Sequence, residues 1–173
     1  MKKFFAVAIA SLLLATVTFA APAAKPKATG DADWINAPGV YDQQANLTFN
    51  AIATKAGSLA AKGSAIYTDP NVTYTMDVQY LLVTDPQTAW FIGQVTSLTV
   101  TGINPGVTLN DWVLYKVVDK GEPGIYADQV WGRNLTLGDQ ISDPALAVAR
   151  MQTLEDPDMG GPFVLNGGNL QVH

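Results

Sequence analysis

Apolar and polar residues alternate with period two in run after run of this chain, and turn-forming residues separate the runs. ANLTFNAIAT (45–54) alternates through Leu47, Phe49 and Ala51, and AAKGSAIYT (60–68) follows a Lys-Ala-Gly-Ser break. VTYTMDVQYLLV (72–83) puts Tyr74, Met76, Val78 and Tyr80 on one face. Its continuation Leu81-Leu82-Val83 breaks the alternation, which predicts a bulge or burial on both faces. TAWFIGQVTSLTVTG (88–102) is a long β-rich run with Gly93 inside it, the mark of a bulge or a close backbone approach. NDWVLYKVVD (110–119) has the strongest strand pattern, and YADQVWGRNLTL (126–137) supplies a further strand. Asp-Pro-Asn at 69–71, Asp-Pro-Gln at 85–87 and Asn-Pro-Gly at 104–106 are turns by their chemistry: the Asx side chain bonds the backbone ahead and proline presets φ.

Only residues 143–154, DPALAVARMQTL, carry the marks of a helix, over about 144–153, with Asp143 as cap and Pro144 in the first turn. The tail GPFVLNGGNLQVH (161–173) holds two apolar runs around Asn-Gly-Gly, a hairpin signal. Short strands with a turn every ten or so residues predict an all-β, antiparallel single domain, either a β-sandwich or a β-barrel.

The amino end changes the picture of where the protein works. Lys2 and Lys3 precede an apolar run from Phe4 to about Val17, and small residues follow near Ala20 and Ala21. That order is a secretory signal peptide over residues 1–20, with Thr18 and Ala20 suited to the −3 and −1 positions of the peptidase site. The apolar run is shorter than the roughly 20 residues a membrane span needs. A secreted or periplasmic protein is therefore expected, with no membrane span after cleavage. Residues 21–33, rich in Ala, Pro and Lys, read as a disordered leader, and the folded domain is expected over 34–173. A domain of roughly 140 residues buries a sufficient core without staples. It has to, because the chain contains no cysteine and so no disulfide framework.

Removing residues 1–20 removes two lysines and no acid, which leaves 8 basic against 15 acidic residues, a net charge of −7. That sign opposes nucleic acid and anionic membrane as partners. The chemistry available is narrow as well. The sole histidine is His173, the last residue, where nothing orients its ring, and there is no cysteine nucleophile. A His/Cys zinc site is excluded by count, and no phosphate-binding glycine loop stands in a strand–helix context. A carboxylate pair acting on a polysaccharide is the remaining enzymatic route. Most of the acids, however, are aspartates beside Pro, Gly or Asn, where a turn accounts for them. Four tryptophans (Trp34, Trp90, Trp112 and Trp131) invite a carbohydrate platform, but aromatics inside strand runs more often pack in the core or across strands. Asn46, Asn71 and Asn134 head N-x-T sequons, and the bacterial style of the signal peptide argues against glycosylation there.

One stretch concentrates acids. VVDKGEPGIYADQVWG (117–132) gathers Asp119, Glu122 and Asp128 around two glycines and a proline. As hard oxygen ligands these three are candidates for a calcium site, although the spacing is not that of an EF-hand loop. The alternative is a corner in which Asp119 and Glu122 hold backbone amides, Gly121 and Gly124 take positive φ, and Pro123 stiffens the turn, close to the tail.

Taken in order, these segments resemble the post-COAP-1 type β-domain of secreted bacterial proteins. Gly63, Tyr67 and Asp69 match a "G-x-x-x-Y-x-D" strand, and Val83, Ala89 and Gly93 echo a second segment. Val118, Asp119, Gly121, Glu122, Pro123, Gly124 and Asp128 match "V-D-N-G-E-P-G … D", with Lys120 where that family commonly has Asn. Gly167, Gly168, Asn169, Leu170, Gln171, Val172 and His173 match "G-G-N-I-Q-I-H". The resemblance covers roughly 44–173 and implies a secreted β-domain, found alone or attached to surface proteins, with no activity to transfer. The expectation is thus an exported, non-enzymatic binding or structural module of the envelope or extracellular space. Its partner would be a protein, a polysaccharide or a small ligand. A calcium-stabilised or carbohydrate-binding module and, last, a carboxylate-dependent polysaccharide enzyme are the alternatives.

Overall fold

The structure is a computed structural model that describes residues 24–36, 43–104, 106–121 and 127–173. Nine strands form one antiparallel sheet: β1 (Lys27–Asn36), β2 (Gln43–Ala53), β3 (Ala61–Thr68), β4 (Val72–Asp85), β5 (Thr88–Val100), β6 (Trp112–Val118), β7 (Gln129–Asn134), β8 (Gly160–Val164) and β9 (Gly167–Val172). Two short helices, α1 (Leu135–Asp139) and α2 (Pro144–Met151), and a single 3₁₀ turn at Asp156–Asp158 lie between β7 and β8.

Strands β1 to β7 pair in chain order, β8 adds to the β7 edge, and β9 adds to the β1 edge. Only Leu165 and Asn166 separate β8 from β9, so the two edges of the sheet must meet. Leu165 N donates to the Asp128 carbonyl on one side, and Asn166 N donates to the Asp33 carbonyl on the other. The sheet is therefore curled into a barrel closed by one segment that changes partner midway. Closure of this kind leaves few unpaired strand edges. The tail is accordingly not the hairpin its sequence suggests: β8 and β9 pair with opposite edges of the sheet rather than with each other.

The leader is corrected in the same way. Residues 27–36 form a full strand, paired with β2 from Lys27 to Asn36 and with β9 from Ala28 to Asp33. The domain thus includes a strand that begins at Lys27, not Trp34, and residues 27–33 of the expected leader belong to it. Its inward residues Ala28 and Ala32 are small, so the segment lacks the apolar weight that marks a strand in sequence. Ladders on both sides supply the hydrogen bonds that order it. The expected signal peptide, residues 1–20, lies outside the described residues.

Two apolar clusters lie on either side of the sheet. The barrel interior holds Ala28, Trp34, Leu47, Phe49, Met76, Leu81, Phe91, Val95, Tyr115, Val130 and Leu170, among others, drawn from almost every strand. Outside β5, β6 and β7, a second cluster of Trp90, Ile92, Trp112, Leu114 and Trp131 packs against Leu135, Ala147, Met151 and Leu154 of the helical segment. Strands β5 and β6 are thus covered on both faces, which is why 89–92 and 112–115 read as continuous apolar runs. The irregularity foreseen at Leu81–Val83 is present: the β4–β5 register shifts between Val78 and Tyr80, turning Leu81 inward and Tyr80 and Leu82 outward. Opposite it, a Cβ on Gly93 would stand 2.5 Å from the Asp77 carbonyl oxygen, so the backbones meet closely there.

The outer layer is pinned by charge. Lys116 Nζ lies 4.4 Å from the Trp131 ring centroid and 5.0 Å from that of Trp90, and pairs with Asp156 of the 3₁₀ turn. Helix α2 is capped as its sequence predicts, with Asp143 Oδ1 accepting from Ala145 N (2.8 Å) and Leu146 N (3.2 Å). Asp139 ties the layer together: it accepts from Arg133 Nε (2.6 Å) and Nη2 (3.0 Å) and from Arg150 Nε (3.1 Å). The Arg133 guanidinium holds the Asp139 carboxyl below the usual carboxylate range, against the opposing effect of burial. A carboxyl depressed in the folded state contributes stability above its unfolded value, about pH 4, and loses it as pH falls through the lower folded value. The stability gap between the native chain and Asp139→Asn is therefore expected to be full at neutral pH and to shrink steadily below about pH 4. Denaturant melts from pH 7 to pH 2 measure it, and a gap that stays constant with pH counts against this role.

Candidate functional site

The strand directions place one end of the barrel at the 69–71 turn, the 101–111 loop and α1. At that end β1, β3 and β7 finish, while β4 and β6 begin. A cavity of about 240 Å³ opens there. Its walls are aromatic: Trp34 from β1, Tyr67 from β3, Tyr74 from β4, Tyr115 from β6 and Phe163 from β8. Val107 and Val113 complete the apolar lining, and Gly132, Arg133 and Asn134 of β7 contribute the rim. The rings pack against one another. The Trp34 and Phe163 centroids are 5.4 Å apart and nearly parallel, those of Tyr67 and Tyr74 are 5.1 Å apart, and Trp34 and Tyr67 are tilted at 6.0 Å.

Local sequence explains each placement. Tyr67 and Tyr74 are register partners across the β3–β4 hairpin, whose turn is made by Asp69. Asp69 Oδ1 accepts from Asn71 N (2.7 Å) and Val72 N (2.8 Å), and its Oδ2 accepts from Tyr67 Oη (2.8 Å). The turn aspartate thereby fixes a ring of the cavity wall. The 101–111 loop is held by Asn104, whose Oδ1 accepts from Gly106 N and Val107 N at 2.9 Å. It is also held by Asp111, a buried carboxylate accepting from Thr108 N (2.8 Å), Thr108 Oγ1 (2.9 Å) and Asn134 Nδ2 (2.8 Å). Asn134 uses its other end to cap α1, accepting from Leu137 N at 3.0 Å.

Polar chemistry inside the cavity is concentrated in one pair. The hydroxyls of Tyr74 and Tyr115 are hydrogen-bonded to each other, and both residues are buried. Burial pushes both phenols far above their usual range, so both stay protonated. The rim guanidinium is engaged elsewhere: Arg133 gives Nε and Nη2 to Asp139 and Nη1 to the Asp158 carbonyl. Arg133 is the one charged residue of the described lining, and its charge is paired with the Asp139 carboxylate.

The acidic stretch lies elsewhere. Strand β6 begins at the cavity and ends at Val118, so Asp119 and Asp128 sit at the opposite end of the barrel. Asp119 Oδ1 accepts from Gly121 N (2.8 Å), Asp128 Oδ1 accepts from Lys120 N (2.8 Å), and Asp128 Oδ2 accepts from Leu170 N (3.2 Å). Glu122 lies outside the described residues. Among the described residues no three His, Asp or Glu side chains gather in a way that holds a metal ion. The Leu170 contact brings the 117–128 stretch against the tail strand through Asp128, the proximity expected from sequence. All four tryptophans are buried, so none offers an exposed sugar platform.

The cavity was not visible in the sequence as a site. The alternation over 72–83 placed Tyr74 on one face with Met76 and Val78, and Tyr115 alternates inside 110–119, but nothing local said that the two hydroxyls, on strands flanking β5, meet. Asp111 carried a weaker signal still, as a carboxylate beside a turn. No family model, no curated protein and no solved structure matches this chain. Its class is therefore stated from geometry alone: an antiparallel all-β barrel with an aromatic cavity at one end. No helix among the described residues is long and apolar enough to cross a membrane.

Proposed function

We propose that the chain is an exported, non-enzymatic binding module whose barrel holds a small, largely apolar ligand at its α1 end. The observation that carries this reading is the cavity of about 240 Å³ walled by Trp34, Tyr67, Tyr74, Tyr115 and Phe163. Concave, mostly apolar sites with a few converging polar groups are the usual form of small-molecule sites, and the mouths of barrels are a recurrent place for them. The signal-like amino end supports export, with Ala21 as the first residue of the exported chain. The non-enzymatic part rests on the chain's having one terminal histidine, no cysteine, and turn aspartates whose oxygens are taken up by backbone amides.

The test is a thermal-shift screen of the exported form with uncharged one- and two-ring compounds. A ligand present at 100 times its Kd stabilises by about 2.7 kcal/mol, a rise of roughly 5–10 °C for a domain of this size. Val107→Trp places a ring in the cavity from a loop position outside the strand ladders. It is expected to abolish the ligand-dependent rise while leaving the ligand-free midpoint within a few degrees. A panel without a single stabilising compound, or an undiminished rise in Val107→Trp, sinks the reading.

A further inference from the structure

We propose that the Tyr74–Tyr115 hydroxyl pair selects the ligand: an uncharged, flat molecule of about one to two fused rings carrying one acceptor oxygen, of the aryl ketone or quinone class. The inference rests on the cavity-binding reading and adds the ligand's chemistry to it.

The argument starts from a count of donors. Each phenol has one O–H and two acceptor lone pairs. The pair shares a single hydrogen bond, which uses one of its two protons. The second O–H finds no further acceptor among the described residues, although both side chains are at least nine-tenths buried and line the cavity. A buried donor left unmade costs about 1–3 kcal/mol, which an acceptor atom on a ligand recovers. Donation from one phenol to the other polarises the outer O–H, so the pair is a better donor than either ring alone.

Size and charge narrow the class. A dry apolar cavity of about 150 Å³ accommodates benzene. A volume of about 240 Å³ therefore suits a ring system of naphthalene size or one ring with a short substituent. An anion is disfavoured, because Arg133, the one charged residue of the described lining, already pairs with the Asp139 carboxylate and gives three of its five N–H groups to Asp139 and the Asp158 carbonyl. A cation fares no better, because the described lining holds no carboxylate and its one charged residue is the cationic Arg133. Burying an unpaired charge costs far more than the aromatic walls return. The aromatic walls, five rings in all, favour a flat guest whose face or edge can pack on them.

The experiment compares three probes of one shape on the exported chain by isothermal titration: 2-acetylnaphthalene, its methylene isostere 2-isopropenylnaphthalene, and the anion 2-naphthoate. The acetyl compound is expected to bind about tenfold more tightly than the isopropenyl one, the effect of one good buried hydrogen bond. The naphthoate is expected to be the weakest. A single Tyr→Phe change frees the remaining hydroxyl to serve the ligand, so Tyr115→Phe should keep part of the preference. The double variant Tyr74→Phe/Tyr115→Phe should abolish it and leave isopropenyl binding intact. Equal binding of the two neutral probes by the native chain overturns the inference while leaving the cavity reading in place. A preference that survives in the double variant overturns it too, as does tightest binding by naphthoate. Binding of none of the three overturns the cavity reading itself.

Discussion

Replacing Phe91 by alanine is expected to cost about 3–5 kcal/mol, the usual penalty for emptying a fully buried aromatic site. Phe91 has no exposed surface, stacks on Phe49 at 4.8 Å, and tilts against Tyr115 at 5.6 Å. Its register partners are Leu81 on β4 and Tyr115 on β6, so it stands in the middle of the barrel wall. A wall of hydrogen-bonded strands cannot collapse onto the void, which puts the cost toward the upper end of the range. Single domains have only about 5–15 kcal/mol in total, so this one change takes the protein close to the limit of folding. In a thermal melt the midpoint should fall by roughly 6–20 °C. Leu146→Ala is the comparison, because Leu146 projects from α2 with 59% of its surface exposed and should move the midpoint little. If the two variants melt alike, the barrel interior is not the main source of stability.

The second large effect is expected at the seam. Gly168 has φ +93°, and a Cβ built on it would lie 1.9 Å from the Asp31 carbonyl oxygen, on the strand β9 pairs with. Gly168→Ala therefore adds positive-φ strain of about 1–2 kcal/mol to a contact that only backbone movement relieves. The movement required is separation of β9 from β1, the pairing that closes the sheet. Gly57→Ala isolates the strain alone, since Gly57 also has positive φ (+72°) but nothing within 4 Å of a Cβ. Gly168→Ala should melt several degrees below Gly57→Ala. Its amides at Lys27, Asn166 and His173, which cross the seam, should exchange with solvent faster than in the native chain. Unchanged exchange at those three amides would show that the seam tolerates a side chain.

The same glycine gives a physical reason for one of the sequence motifs. In the tail motif Gly168 abuts the neighbouring strand. In the segment with Gly63, Tyr67 and Asp69, a Cβ on Gly63 would come within 1.7 Å of the Asn50 carbonyl oxygen, while Tyr67 donates to Asp69. Motif residues in this chain thus mark close backbone approaches and fixed turns. Asp128 belongs with them: its carboxylate reaches across 42 residues to Leu170 N and fastens the 117–128 loop to the closing strand. The loop that first suggested a cation site lies at the far end from the cavity, and over its described residues Asp119 and Asp128 accept from the backbone amides of Gly121, Lys120 and Leu170.

Much of the fold was legible locally. Strands β2 to β7 follow the alternation from Leu47 to Trp131. The Asp69, Asp85 and Asn104 turns use the side-chain-to-amide bonds their residue types favour, and α2 begins at the Asp143 cap and Pro144. These features are set by neighbours a few residues away, so the sequence by itself determined them, along with the all-β class and the narrow catalytic inventory. The tertiary structure alone decided the rest. Alternation hides one face of a strand equally well in a sandwich or a barrel, so closure depended on where 160–172 finds its partners, β7 and then β1. The segment at 27–36, whose pattern carries little apolar weight, became a strand because β2 and β9 bond it from both sides. The cavity draws its walls from β1, β3, β4, β6, β7 and β8, and brings together Tyr74 and Tyr115, 41 residues apart in the chain. Contacts between residues so far apart in the chain depend on the geometry of closure, and local pattern carries no record of it.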